Sequence, residues 1–237
     1  LPVIARRTVP IFFSPCTVRA SGNGSCDRRP DSSVFPTFFT QQKGSYPNTM
    51  ADKTALHQDI DHILVSEEEV DRIVRGIAAK IDSDYRDSSK KLLLLCILKG
   101  SVVFMGELMK RITVPVEIDF MKVSSYGSGT KTSGSVNIIL DLHRKDLSNC
   151  DILIIEDIVD SGRTLSYLVN YLTLKGAASV RTCTLLDKPS RREVDFTPDY
   201  TGAVIPDEFV VGYGLDYDEA YRALPYVGVL KSSVYSK

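Results

Sequence analysis

The stretch Asp151-Ile-Leu-Ile-Ile-Glu-Asp-Ile-Val-Asp-Ser-Gly-Arg-Thr-Leu165 decides how this chain is read. Five residues, Asp151 to Ile155, form a strand apolar on both faces, which is the pattern of a strand buried inside a parallel sheet. The strand ends in two adjacent carboxylates, Glu156 and Asp157. A short loop adds Asp160, and Ser161-Gly-Arg-Thr164 opens a helix expected over 162–175. Ligands of open α/β sheets bind beyond the carboxyl ends of the strands, so these acids stand where a ligand belongs.

The chemistry follows from the charges. Backbone N–H groups of Ser161 to Thr164 project from a helix N-terminus and can cradle a phosphate. Three carboxylates alone would repel that phosphate. The conflict is eased if they hold ribose hydroxyls and a hydrated Mg²⁺, an ion that prefers oxygen ligands and bridges to phosphates. A sugar phosphate with Mg²⁺ is therefore the expected ligand. A plain solvated loop, with Asp160 as a helix cap, is the competing reading of the two acids taken alone.

Outward from this stretch, strands and helices alternate. Ser66 and Glu69 make a capping box, and Val70, Ile73, Val74, Ile77, Ala78 and Ile81 recur at helical spacing. Leu92 to Leu98 is a second continuous apolar strand, followed by a helix over 101–111. Val116 to Val123 alternates with period two, Val136 to Leu140 returns to strand character, and Val180 to Leu186 is a further strand. The Ser/Gly/Thr/Lys-rich stretch 124–135 is expected to be a mobile loop. The C-terminal part from Tyr200 to Tyr235 is expected to add short strands at 208–211 and 227–230 in a small lobe. The whole reads as an α/β fold with a mostly parallel central sheet covered on both sides, and with a small hood.

Residues 1–49 differ from the rest. They hold six of the 11 prolines, and their six basic and two acidic side chains, taken from totals of 29 and 30, leave 23 basic and 28 acidic residues beyond them. A mildly acidic body lacks the footprint of a nucleic-acid partner. The first 58 residues are expected to be a disordered extension, either transit-like or upstream of a start at Met50, with the folded domain over 59–237. The five cysteines (Cys16, Cys26, Cys96, Cys150, Cys183) form no Cys-x-x-Cys pair, which fits a reducing, cytoplasmic setting; an organelle is the alternative if the extension is a transit peptide. No apolar run is long enough to span a membrane. The histidines His57, His62 and His143 show no metal-ligand spacing and default to surface positions.

The string around Glu156 resembles the signature of phosphoribosyltransferases that use phosphoribosyl pyrophosphate. Leu98-Lys-Gly100, Ser124-Ser-Tyr-Gly127, Leu186-Asp-Lys-Pro-Ser190 and Phe209-Val-Val-Gly-Tyr-Gly-Leu-Asp-Tyr217 follow the order of the hypoxanthine-guanine branch, particularly its bacterial members, from about Leu64 to Tyr235. The first 49 residues match nothing in it. The resemblance implies the type I phosphoribosyltransferase fold and a purine salvage enzyme that yields IMP or GMP, with an oxopurine base and phosphoribosyl pyrophosphate as substrates, Mg²⁺ as cofactor, and assembly as a homodimer or homotetramer.

Residue by residue, the resemblance makes Asp160 the general base that takes the proton from the attacking purine nitrogen. Glu156 and Asp157 hold the ribose hydroxyls and the Mg²⁺ shell, and Asp216 is a second metal-site carboxylate. Ser161, Gly162, Arg163 and Thr164 form the ribose-phosphate loop. Lys99 and Gly100 contact pyrophosphate, often through a non-proline cis peptide bond, and Arg222 is another pyrophosphate contact. Lys188 donates to the exocyclic oxygen of the purine, Phe209 stacks on the base, and Val210 offers backbone groups to its edge. Ser125 and Tyr126 begin a loop that closes over the reaction. An adenine- or pyrimidine-specific transferase is opposed by Lys188 and the Phe209-Val210 pair. A non-catalytic regulator that binds RNA or DNA is opposed by the acidic body and by the presence of Asp160, Lys99 and Lys188. Whether xanthine is accepted, and which oxopurine is preferred, is left open.

Overall fold

The computed structural model describes residues 53–125 and 136–236. The expected N-terminal extension up to residue 52, Cys16, Cys26, Met50, Tyr126 and the loop segment 126–135 lie outside the described residues, as does the side chain of Ser125.

Two strands set the core. β2 (Lys91–Leu98) and β5 (Cys150–Val159) are neighbours in parallel register, Leu93 opposite Ile152 and Leu95 opposite Ile154. Their side chains alternate between two apolar layers. Leu92, Leu94, Cys96, Leu153 and Ile155 pack with helices α2 (Glu67–Tyr85) and α3 (Val102–Met109). Leu93, Leu95, Ile97, Ile152 and Ile154 pack instead with Leu165, Leu168 and Leu172 of helix α4 (Arg163–Leu174). Burial on both faces is why these strands are unbroken apolar runs.

The main sheet is completed by β3 (Val116–Ser125), β4 (Val136–Leu140), β6 (Ser179–Asp187) and β7 (Tyr200–Val204), in the order β4-β3-β2-β5-β6-β7. β4 alone runs antiparallel to its neighbour. A second, three-stranded sheet forms the hood from β1 (Ile60–Val65), β8 (Val210–Val211) and β9 (Val227–Leu230), with β9 in the middle. Short helices α1 (Lys53–Gln58) and α5 (Ser232–Tyr235) flank it.

Ser66 caps α2 as expected, its Oγ accepting from Glu69 N at 3.2 Å. Four expectations are corrected. β5 runs to Val159 instead of stopping at Ile155, because it keeps pairing with β6 as far as Val159 opposite Asp187. Tyr200–Val204 is the edge strand of the main sheet and not part of the small lobe; its parallel pairing with β6 is non-local and its burial pattern does not alternate. Only 210–211 of the expected 208–211 strand is extended in the ladder. Residues 53–58, expected to belong to the extension, form helix α1: Leu56 packs on the hood core, and the His57 ring lies 5.4 Å from that of Tyr226. His57, His62 and His143 are all exposed, and Cys96, Cys150 and Cys183 are buried free thiols. Among the described residues no helix is long and apolar enough to cross a membrane.

Candidate active site

The carboxyl ends of β2, β5 and β6 converge on one edge of the main sheet, facing the hood, and there the predicted site residues fall into two groups. The first lines a cavity of about 460 Å³. Ile158 and Asp160 enter it from the end of β5, Lys188 from the end of β6, and Phe209, Val210 and Leu215 from the hood side. Lys188 is buried, and its Nζ donates to the carbonyl of Glu208 at 2.6 Å, which aims a cation along the cavity wall. Burial lowers its pKa from the ordinary lysine value. Phe209 is 39% exposed, far more than a core ring, so a flat face is presented to the cavity.

The second group surrounds the Leu98–Lys99 peptide, which is cis. The loop that follows β2 runs against the end of β5 so closely that a Cβ on Gly100 would lie 1.5 Å from Asp157 Oδ2, and one on Gly214 would lie 2.0 Å from Gly100 O. Glycine is required at both places. Lys99 Nζ donates to Glu219 at 2.7 Å. Arg222 pairs with Asp216 at 2.7 Å and with Glu219 at 3.2 Å, and also donates to Gly214 O at 2.8 Å. Four non-glycine residues of this segment, Tyr213, Asp218, Glu219 and Tyr221, have positive φ, the kind of backbone that clusters at functional sites. Leu215 in the first group adjoins Asp216 in the second, so the two are continuous.

Burial dominates the electrostatics of the two strand acids. It pushes the carboxyl of Asp157 up to about 6, with Arg222 pulling down and Asp216 pushing up. Glu156 is raised well above the usual carboxylate range by burial and by Asp157, and its Oε2 is buried without a hydrogen-bond partner. Neither carboxylate forms an ion pair among the described residues, Arg222 being paired with Asp216 and Glu219. Among the described residues, no three or more His, Cys, Asp or Glu side chains converge into a metal cage. That donor set fits Mg²⁺, which keeps waters and takes one or two carboxylates together with substrate phosphates.

The Ser161–Thr164 turn, expected to cradle a phosphate, lies at the start of α4, with Gly162 rather than Asp160 as the N-cap, at φ 79°. Ser161 and Thr164 are half-buried, and Arg163 is exposed and paired with Glu193. Ser125 is the last residue of β3. Sequence reasoning missed several residues. Ile158, Leu215 and Tyr235 border the cavity, Arg191 lies on its rim holding Asp160, and Glu219 bridges Lys99 and Arg222. Ile158 and Leu215 sit inside quoted motifs, which is the one signal available for them.

The model of the phosphoribosyl transferase domain family matches residues 63–218. The chain belongs to that family. It is 50% identical over 182 residues to the hypoxanthine-guanine phosphoribosyltransferase of Staphylococcus epidermidis, covering 77% of this chain and 100% of that protein. It is 41% identical over 237 residues to the bifunctional protein TilS/HprT of Listeria monocytogenes, an alignment that includes residues 1–49; the chain spans 35% of that protein's length. A crystal structure of a hypoxanthine phosphoribosyltransferase from Staphylococcus aureus superposes with a TM-score of 0.73 at 46% identity, covering 81% of this chain and 100% of the other. The fold of this family member is the mostly parallel sheet with a hood anticipated from sequence.

Proposed function

We propose that the chain transfers the phosphoribosyl group of phosphoribosyl pyrophosphate to hypoxanthine or guanine, releasing pyrophosphate and forming IMP or GMP. One observation carries the reading: Asp160, Lys188 and Phe209 border a single cavity, and the phosphate turn of α4 adjoins it. A base, a hydrogen-bond donor and a stacking ring are what a purine acceptor requires beside a sugar phosphate.

In this reading the purine lies between Phe209 and Ile158, with its exocyclic oxygen toward Lys188 Nζ and its edge toward the Val210 backbone. Lys188 then selects oxopurines over adenine. Asp160 accepts the proton from the ring nitrogen as that nitrogen bonds to the anomeric carbon and the bond from ribose to pyrophosphate breaks. Backbone N–H groups of Ser161 to Thr164, with the Ser161 and Thr164 hydroxyls, bind the ribose phosphate. Glu156 and Asp157 hold the ribose hydroxyls, while Lys99, Gly100 and Arg222 meet the pyrophosphate, where negative charge accumulates. Mg²⁺ would be held by one or two of the carboxylates Glu156, Asp157 and Asp216 together with the phosphates, and would supply charge neutralisation of the leaving group.

The same reading assigns catalysis to 59–237, so a chain beginning at Met50 retains activity, and it places the enzyme in the cytoplasm as a homodimer or homotetramer, read by sedimentation. The deciding assay offers hypoxanthine, guanine, xanthine and adenine with phosphoribosyl pyrophosphate and Mg²⁺. Pyrophosphate release with hypoxanthine or guanine but not adenine is the expected result. Absence of release with every oxopurine sinks the proposal.

A further inference from the structure

The ring of Phe209 is held on two sides. Tyr217 meets it edge-on, with centroids 5.7 Å apart and planes at 85°, and Tyr235 stacks on it at 4.8 Å and 21°. Tyr235 ends α5, and α5 is fastened to the hood. Lys231 N donates to Asp59 O at 2.9 Å, Lys231 Nζ donates to Gln58 O at 2.7 Å, and Val234 packs on the hood's own apolar cluster. Leu230 N donates to Phe209 O at 2.9 Å, so the backbone and the ring of Phe209 are both secured by one C-terminal segment.

An aromatic ring has two faces. Tyr235 reaches Phe209 from the hood, whereas Ile158 approaches the same cavity from β5 of the main sheet. With Tyr235 stacked on one face of Phe209, the opposite face is the one left for a ligand. We propose that Tyr235 is a positioning residue for the base: it backs Phe209 and fixes the plane against which the purine stacks. This deepens the reading of the cavity as a purine slot and rests on it. Offset stacking at this separation is favourable. Without its backing, a half-exposed phenylalanine samples other rotamers, and ordering it again is charged to base binding. The group around Lys99 and Arg222 takes no part, so the effect falls on the base alone.

The test is steady-state kinetics of the full chain carrying Tyr235→Ala, Tyr235→Leu or Tyr235→Phe. The alanine and leucine variants are expected to raise KM for hypoxanthine and guanine about three- to tenfold, with KM for phosphoribosyl pyrophosphate within about twofold. Tyr235→Phe, which keeps the ring, restores wild-type values. Leucine keeps apolar volume against the hood and decides the matter should the alanine variant not fold. A base KM that is unchanged overturns the proposal. So does a lowered one, which would mean that Tyr235 occupies the place of the base, and so does an equal rise for both substrates. A wild-type chain that releases no pyrophosphate instead refutes the underlying function, which keeps the two failures apart.

Discussion

Arg191 Nε donates to Asp160 Oδ1 across 2.9 Å, and the same guanidinium lies 3.6 Å from Asp207 Oδ2. The proposed base is thus held at the rim of the cavity by a side chain three residues beyond Lys188. Asp160→Asn keeps this geometry but cannot accept a proton. Turnover is expected to fall by about 10²–10⁴ while GMP affinity changes only modestly, measured by pyrophosphate release and by calorimetric titration. Unchanged turnover would remove Asp160 from the role.

The approach of Gly100 to Asp157 leaves no room for a side chain. Gly100→Ala must displace either the loop carrying Lys99 or the Asp157 carboxylate, and a shift of that size at a reaction centre costs about 10²-fold in rate. The variant should retain its circular dichroism spectrum. Wild-type activity would show that the close contact has no part in catalysis.

Lys188→Ala removes the buried donor at the cavity wall and leaves Glu208 O without it. Discrimination of hypoxanthine and guanine over adenine is expected to shrink by about 10²-fold, since a polar contact that selects a base is lost. KM for phosphoribosyl pyrophosphate should hold. A uniform loss across both substrates would point to a collapsed site instead.

Tyr85 and Tyr213 are buried, and burial pushes both phenols up to about 12. Unfolded tyrosines ionise near 10, so above that pH the unfolded state binds fewer protons than the native state. The associated stability is complete below pH 10 and is lost as pH rises toward 12, each phenol contributing a slope of about 1.4 kcal/mol per pH unit. Denaturant melts at stepped alkaline pH read it directly.

The Tyr85 hydroxyl is also buried with no hydrogen-bond partner. Tyr85→Phe should therefore be neutral or stabilising by about 1 kcal/mol near neutral pH, and should lower the alkaline slope by one phenol's share, about 1.4 kcal/mol per pH unit. A loss of stability in that variant would reveal a partner for the hydroxyl.

What could be read in advance follows burial. β2 and β5 are covered on both faces, so every residue from Leu92 to Ile97 and from Ile152 to Ile155 is apolar, and Ser66 with Glu69 marks the start of α2 in three letters of separation. β1 and β7 are short and mixed in character; β1 pairs with a strand late in the chain, Leu230 opposite Ile60, and β7 pairs in parallel with β6, Tyr200 opposite Cys183, with no long helix between them. Their pairing is a tertiary event without a local imprint. The site divides in the same manner. Glu156 to Thr164 is contiguous and was legible, whereas Lys99, Lys188 and Arg222 rested on resemblance. Arg191 and Tyr235 acquire meaning only when folding carries them to Asp160 and Phe209.

The hood has its own order of birth. Its middle strand, β9, follows both β1 and β8 in the chain, yet β1 can join β8 only through it. A nascent chain halted before Val227 would own the doubly covered sheet and the phosphate turn but no roof over the aromatic wall. Synthesis of Val227–Leu230 is therefore what joins β1 to β8, and truncation ahead of Val227 should cost the hood as a whole.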